Sequence, residues 1–101
     1  MCNINSILTA VTRATGVSAS QIKGPSRKWR IHEARMLFVL SLARLGVCDS
    51  RIALAINRTR PTALKTRHYA EDYIGISAGF SEKFSKAWEL YVKSQNCAGD
   101  E

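Results

Sequence analysis

Two clusters of basic residues carry the chemistry that is visible in the sequence. The first is Arg27-Lys28-Trp29-Arg30, and the second extends from Arg58 to Arg67. Dense positive charge of this kind attracts nucleic-acid phosphates, although it also occurs on ordinary solvated surfaces. We therefore take both clusters as candidate parts of an interface with nucleic acid.

The distribution of charge along the chain supports that interpretation. From Arg13 to His68, twelve lysine and arginine residues face two acids, Glu33 and Asp49, which gives a net charge of +10. Residues 69–101 hold three lysines and six acids, a net charge of −3, so that the whole chain carries +7. A membrane-surface role is disfavoured because neither cluster lies opposite an apolar helix face. The basic part of the chain is where we expect an anionic partner to bind.

Other functional classes lack their motifs in this sequence. There is no G-x-x-x-x-G-K-[ST] motif of an ATPase, and no apolar run of about 18 residues that would cross a membrane. His32 and His68 have no cysteine or carboxylate at ligand spacing, so we predict neither a metal nor any other cofactor. Paired catalytic carboxylates and a supported Cys–His pair are also missing, so we predict that the protein is not an enzyme.

Cysteine usage bears on the compartment. Cys2, Cys48 and Cys97 are an odd number at wide spacings, which argues against disulfides and for a reducing cytoplasm. Residues 1–10 also lack the pattern of a signal peptide. Cys48 lies in a connection between helices and is predicted to be a small buried residue.

Helical periodicity and helix-stop residues predict an all-α, compact multi-helix domain over residues 1–93. A first helix, over about 7–14, should end at Gly16, and a capping box from Ser18 to Gln21 should open a short helix that ends at Gly24-Pro25. A third helix is expected over about 31–45. Its centre is apolar on almost every side, which marks the buried helix of the core.

The second half of the chain predicts a helix-turn-helix over about 50–74. Asp49 or Ser50 can cap its first helix, Asn57 suits a left-handed exit from that helix, and Thr59 can cap the second, which should stop at Gly75. On the second helix we expect Ala63, Ala70 and Ile74 to point inward. We expect these residues to point outward: Pro61, Thr62, Lys65 and Tyr69.

A loop over 75–79 should lead to a last helix over about 81–94, followed by a frayed tail over 94–101. Phe84, Trp88 and Tyr91 form an apolar stripe on that helix. We predict that the stripe is core, and the alternative is a docking face for a second copy of the chain or for another protein.

The residues GPSRKWRIHEAR from Gly24 to Arg35, followed by the apolar helix that ends near Leu45, resemble the C-terminal DNA-binding domain of the bacterial replication initiator DnaA. That family has an S-R-K/R-R-x-I/V-x-x-x-R element that leads into an apolar helix ending in L-A-R/K. Residues 17–22 are similar to its V-x-x-x-D-L opening, and the order of elements is similar almost to the end of the chain. The resemblance implies this family's fold, which the related Trp repressor shares, without the initiator's ATPase domain.

The family's recognition-helix signature, G-G-R-D-H-T-T-V, is only partly present. Residues 57–64 read NRTRPTAL, which keeps a threonine at Thr62 and replaces the Asp and His. The resemblance places Arg27 in the minor groove, where a narrow A·T-rich groove attracts a guanidinium. It places Lys28, Arg30 and Arg35 at phosphates, with the alternative that Arg35 caps the loop from inside.

In the recognition helix, Arg58 and Arg60 are predicted to read guanine, Thr62 to contact a thymine methyl or a phosphate, and Lys65 and Tyr69 to contact phosphates. Trp29 is predicted to pack the basic loop onto the core in preference to contacting bases. The predicted DNA-binding residues are Arg27, Lys28, Arg30, Arg35, Arg58, Thr59, Arg60, Thr62, Lys65, Thr66 and Tyr69.

These features predict a sequence-specific double-stranded DNA-binding protein that is associated with the nucleoid. Its most direct role would be that of a small transcriptional regulator, and the alternatives are a replication-control factor and an adaptor that uses the same fold to bind an acidic protein. Structured RNA is a further, less favoured ligand. No aromatic platform for stacking unpaired bases is visible in the sequence.

Overall fold

In the computed structural model, the backbone is described for residues 4–25 and 28–100, and side chains for residues 4–25 and 28–93. All the regular structure in this part of the chain is helical, which confirms the all-α prediction. The helices are α1 (Ile4–Thr15), α2 (Ala19–Lys23), α3 (Trp29–Arg44), α4 (Asp49–Ala55), α5 (Arg60–Ile76) and α6 (Ala78–Asp100). None of these helices is both long enough and apolar enough to cross a membrane.

Local chemistry explains where several helices begin and end. The predicted capping box is present at α2, where the Gln21 backbone N–H donates to Ser18 Oγ and the Ser18 backbone N–H donates to Gln21 Oε1. Gly16 and Gly46, with φ of +74° and +82°, follow α1 and α3, and Asn57, with φ of +57°, follows α4. Glycine and asparagine take this left-handed conformation at the lowest steric cost, and the prediction of a left-handed exit at Asn57 is confirmed.

Helix α3 is the centre of the core and contacts every other helix. Met36, Leu37, Phe38, Val39 and Leu40 are fully buried in succession, so every side of the helix is covered. This arrangement matches the predicted buried helix. Truncating one of these large side chains to alanine would cost about 2–5 kcal/mol of stability, which makes α3 the rigid support for the elements around it.

The connection between α5 and α6 differs from the predicted loop over 75–79. Helix α5 continues through Gly75 to Ile76, and Ser77 alone separates it from α6. The hydroxyl of Ser77, rather than that of Ser81, caps α6 by accepting a hydrogen bond of 3.2 Å from the Phe80 backbone N–H. Phe80 is fully buried, so tertiary packing of the first turn of α6 overrides the helix-stopping tendency of the glycines.

Helix α6 packs along α1 and brings its aromatic stripe to the core. Tyr91 is buried, as predicted for a core residue, whereas Phe84 and Trp88 are half-buried. The ring centroids of Phe84 and Trp88 lie 5.8 Å apart, and those of Trp88 and Tyr91 lie 5.9 Å apart. The backbone of α6 is helical as far as Asp100, beyond the predicted end of the last helix at about residue 94.

Candidate nucleic-acid interface

Helices α4 and α5 form the predicted pair joined by a short turn. Ile52, Ala53 and Ile56 are buried on the α4 side, and Ala63 and Ala70 are buried on the α5 side. The two helices contact each other and also contact α3, so the pair is fixed to the core. Its geometry leaves one long face of α5 in solvent.

That exposed face of α5 spans more than half of the helix circumference. Because successive residues are rotated by about 100°, Pro61, Lys65 and His68 lie at the middle of the exposed arc. Thr62 and Tyr69 are exposed on one flank of the arc, and Arg60 is exposed on the other. The first half of the exposed face therefore offers cations, hydroxyls and an aromatic ring.

Thr66 does not belong to this face. Its side chain is buried beside Ala63 and Ala70, and its hydroxyl donates a hydrogen bond of 2.9 Å to the Thr62 carbonyl. A threonine hydroxyl that is satisfied within its own helix can be buried at little cost. The predicted DNA contact through Thr66 is therefore wrong. Thr59 is exposed and its hydroxyl lies 3.0 Å from that of Thr62, so it does not cap a backbone N–H of α5.

Arg35 lies inside the protein, not at its surface. Its side chain is buried, Nε donates to the Ile22 carbonyl at 2.8 Å, and Nη2 donates to the Gly24 carbonyl at 3.0 Å. Burial, followed by the charge of Arg58, lowers the pKa of the Arg35 guanidinium. The predicted phosphate contact is wrong, and the alternative, that Arg35 caps the loop from inside, is confirmed.

Arg58 holds the turn between α4 and α5. Its half-buried guanidinium donates to the carbonyl of Gly24 through Nη2 and to the carbonyl of Asn57 through Nη1, the latter at 3.0 Å. These backbone acceptors hold the guanidinium away from the predicted role of reading guanine. Its effect is to tie the end of α2 to the start of α5.

The basic segment joins α2 to α3, and the residues at its two ends contact the turn before α5 and α5 itself. Gly24 is held beside the start of α5 by Arg58, and Trp29 packs against Tyr73 near the other end, with ring centroids 5.6 Å apart in an edge-to-face arrangement. Tyr73 packs against the core, so Trp29 reaches the core through it as predicted in part, while half of the Trp29 surface stays exposed. Arg27, which lies between these two anchors in the sequence, falls outside the described residues.

The neighbouring cations differ in their environment. Lys28 is exposed at the position that precedes α3. Arg30 is exposed as well, and its Nη2 donates to the Gly16 carbonyl at 3.1 Å, so that it also holds the end of α1. Both side chains lie where an approaching phosphate can reach them.

Acidic groups near the α5 face are mostly paired. Arg67 forms ion pairs of 3.0 Å with Asp49 and 3.0 Å with Glu71, and the hydrogen bond to Asp49 is the main reason that the pKa of Arg67 is raised. Arg60 lines an open cleft of about 340 Å³ beside this network. Because Asp49 and Glu71 are paired with Arg67, the exposed Lys65 and Arg60 make the local electrostatic potential positive.

Cys48 also lines this cleft and is exposed, so the prediction that it is buried is wrong. It occupies the N-cap position of α4, in a connection that runs over the surface. Connecting segments are exposed because their backbone polar groups need water.

An aromatic cluster joins α3 to α5 on the same side of the molecule. His32 lies 5.9 Å from Trp29 and 6.1 Å from Tyr69, and Tyr69 lies 6.2 Å from Tyr73, all between ring centroids. Burial, followed by the charge of Arg35, lowers the pKa of His32 from 6.5, which favours the neutral imidazole at pH 7. Only the spacings 29/32 and 69/73, each about one helical turn, signalled this cluster in the sequence.

Comparison with known proteins gives no family for this chain: no protein-family model matches it, and no curated protein shows significant similarity to it.

Proposed function

We propose that the protein binds double-stranded DNA with sequence specificity and acts as a small transcriptional regulator. The observation that carries this proposal is that the two ends of the basic segment, Gly24 and Trp29, are held by Arg58 and by Tyr73 of α5. Arg58 and Arg35 both donate to the Gly24 carbonyl, so the start of that segment has a fixed position relative to the recognition helix. The basic segment and α5 are thus two cationic elements in a fixed relative orientation. They could contact two neighbouring grooves of one duplex.

The major groove of DNA, about 12 Å wide, admits one α-helix, and the exposed first half of α5 carries Arg60 and Lys65 and no acid. Arg60 and Thr62 stand in its first turn, where recognition helices contact base edges. Arg60 has the planar fork that matches O6 and N7 of guanine. Lys65 and Tyr69, further along the exposed arc, suit the flanking phosphates.

The basic segment would supply the second contact. Lys28 is exposed next to α3, and the resemblance to the DnaA C-terminal domain assigns the preceding Arg27 to the minor groove. Because Arg35, Arg58 and Thr66 serve the fold, the proposed DNA-binding residues are reduced to Arg27, Lys28, Arg30, Thr59, Arg60, Thr62, Lys65 and Tyr69.

Duplex binding should depend strongly on salt. If about six phosphates are neutralised, a plot of log K against log salt concentration should have a slope of about −5. Replacing Lys65 with alanine should reduce the magnitude of that slope by about one, because one phosphate contact is lost. The measurement is a titration of a labelled duplex at several salt concentrations.

Lys86→Ala is the matched control because it removes the same charge from an exposed position on α6, away from the proposed interface. Its slope should equal that of the unaltered protein. Binding without salt dependence, or an equal change in both variants, would contradict the proposal.

A further inference from the structure

Two rings of the aromatic cluster between α3 and α5 are exposed to solvent and lie outside the hydrophobic core. Trp29 is 50% exposed and Tyr69 is 52% exposed, although each has one aromatic neighbour on the opposite helix. The cluster continues inward through Tyr73 to the buried Phe80, with 5.0 Å between those ring centroids. The inner rings of Tyr73 and Phe80 hold the outer rings in place. The outer rings, Trp29 and Tyr69, therefore keep large apolar surfaces exposed to water.

Next to Tyr69 the surface forms an open apolar groove of about 170 Å³. It is lined by Tyr69, Asp72, Tyr73 and Ile76, and Ile76 is 81% exposed. A groove of this kind accommodates a flat ring that stacks on one wall and contacts an aliphatic side chain on another. Its apolar walls suit a group that is planar and only partly polar.

The charges around the rings indicate how such a group would be oriented. Lys65 is exposed one helical turn before Tyr69, and Lys28 is exposed next to Trp29, so each of the two exposed rings has a lysine near it. Asp72 places a carboxylate within the groove. The lysines would attract a phosphate, and Asp72 would repel it from the groove. The base of the same nucleotide would then occupy the groove.

We propose that Trp29, Tyr69 and the adjoining groove bind an unpaired nucleobase, so that the protein also binds single-stranded nucleic acid. Aromatic side chains in a basic setting are the means by which proteins hold single strands, because every base has a π face. This proposal departs from the sequence analysis, in which no aromatic platform was visible. In the sequence, Trp29 and His32 are distant from Tyr69 and Tyr73. The activity is additional to duplex reading and does not depend on Arg60 or Thr62.

The test measures binding of a labelled oligothymidine of about 12 nucleotides by fluorescence anisotropy. Tyr69→Leu, which removes the ring, should weaken binding about 5- to 150-fold, the range for losing one stacked base. Tyr69→Phe keeps the ring and loses the hydroxyl, so its affinity for the single strand should stay within about twofold of the unaltered protein. Because Tyr69 is an exposed residue, both variants should fold, and thermal melting of each verifies that.

Stacking is observed directly through tryptophan fluorescence. The chain has two tryptophans, so Trp88→Phe leaves Trp29 as the only emitter, and the oligonucleotide should quench it. An abasic strand of equal length should bind more weakly and should not quench. Oligouridine is titrated in parallel. Quenching by either strand supports base stacking on Trp29, and the strand that quenches shows whether the base comes from DNA or RNA.

Equal binding of the abasic and thymidine strands would overturn the inference, because attraction to phosphates alone would then account for binding. Unchanged affinity of Tyr69→Leu would overturn it as well. A protein that binds duplex DNA and shows no quenching by any single strand would refute the base-binding platform and leave the duplex proposal intact.

Discussion

Replacement of Arg35 with alanine is expected to lower the free energy of unfolding by about 3 kcal/mol. The buried guanidinium donates hydrogen bonds to the carbonyls of Ile22 and Gly24, and a hydrogen bond from a charged donor contributes about 1.5–3 kcal/mol. Removing the charge also removes the cost of burying it, which offsets part of the loss. A small domain has only about 5–15 kcal/mol of stability, so the change should be large.

Thermal or urea unfolding measures this effect. For a domain of this size, a loss of about 3 kcal/mol corresponds to a fall in Tm of roughly 10–25 °C. Arg30→Ala is the control, because it removes the same charge five residues earlier on α3, where an exposed guanidinium donates to one carbonyl. That surface variant should lose less than about 1 kcal/mol. Equal losses in the two variants would show that Arg35 does not hold the α2–α3 connection.

Replacement of Arg60 is expected to have the largest effect on recognition. If its guanidinium forms two hydrogen bonds with guanine, Arg60→Ala should reduce discrimination at one base pair by about 1–3 kcal/mol. Arg60→Lys keeps the charge and loses the planar fork, so it should lose a similar discrimination while keeping the salt dependence of binding. Affinities for the preferred duplex and for duplexes with one altered base pair measure both quantities.

Arg13→Ala is the control for that comparison, since Arg13 is exposed on α1 and its loss changes the net charge equally. It should leave base discrimination unchanged. If Arg60→Lys also leaves discrimination unchanged while Arg60→Ala weakens binding to all duplexes equally, Arg60 contacts a phosphate and does not read a base.

Features governed by local chemistry were predictable from the sequence. The capping box at Ser18, the helix end at Gly16 and the left-handed exit at Asn57 depend on a few neighbouring residues, and the structure has each of them as predicted. The buried α3 helix was equally predictable, because residues that are apolar on every side of a helix need cover on every side. The same local rules failed at Gly75, where the burial of Phe80 keeps the chain helical.

The site was less predictable because charge alone does not tell which way a side chain points. The sequence predicts that Arg58 reads guanine and leaves two roles open for Arg35, yet both donate to the carbonyl of Gly24, an acceptor distant from them in the sequence. The aromatic cluster was missed for the same reason. Trp29 and Tyr73 come together only when α3 and α5 pack against each other, and no spacing within the chain specifies that contact.

Selection from a random duplex library with the unaltered protein tests the central proposal most directly. A DNA-reading α5 predicts a consensus that contains a guanine, beside an A·T-rich stretch for the basic segment. A palindromic consensus would indicate a dimer and an asymmetric one a monomer. Recovery of no consensus after repeated rounds would contradict sequence-specific duplex binding, and it would favour an adaptor that binds a protein.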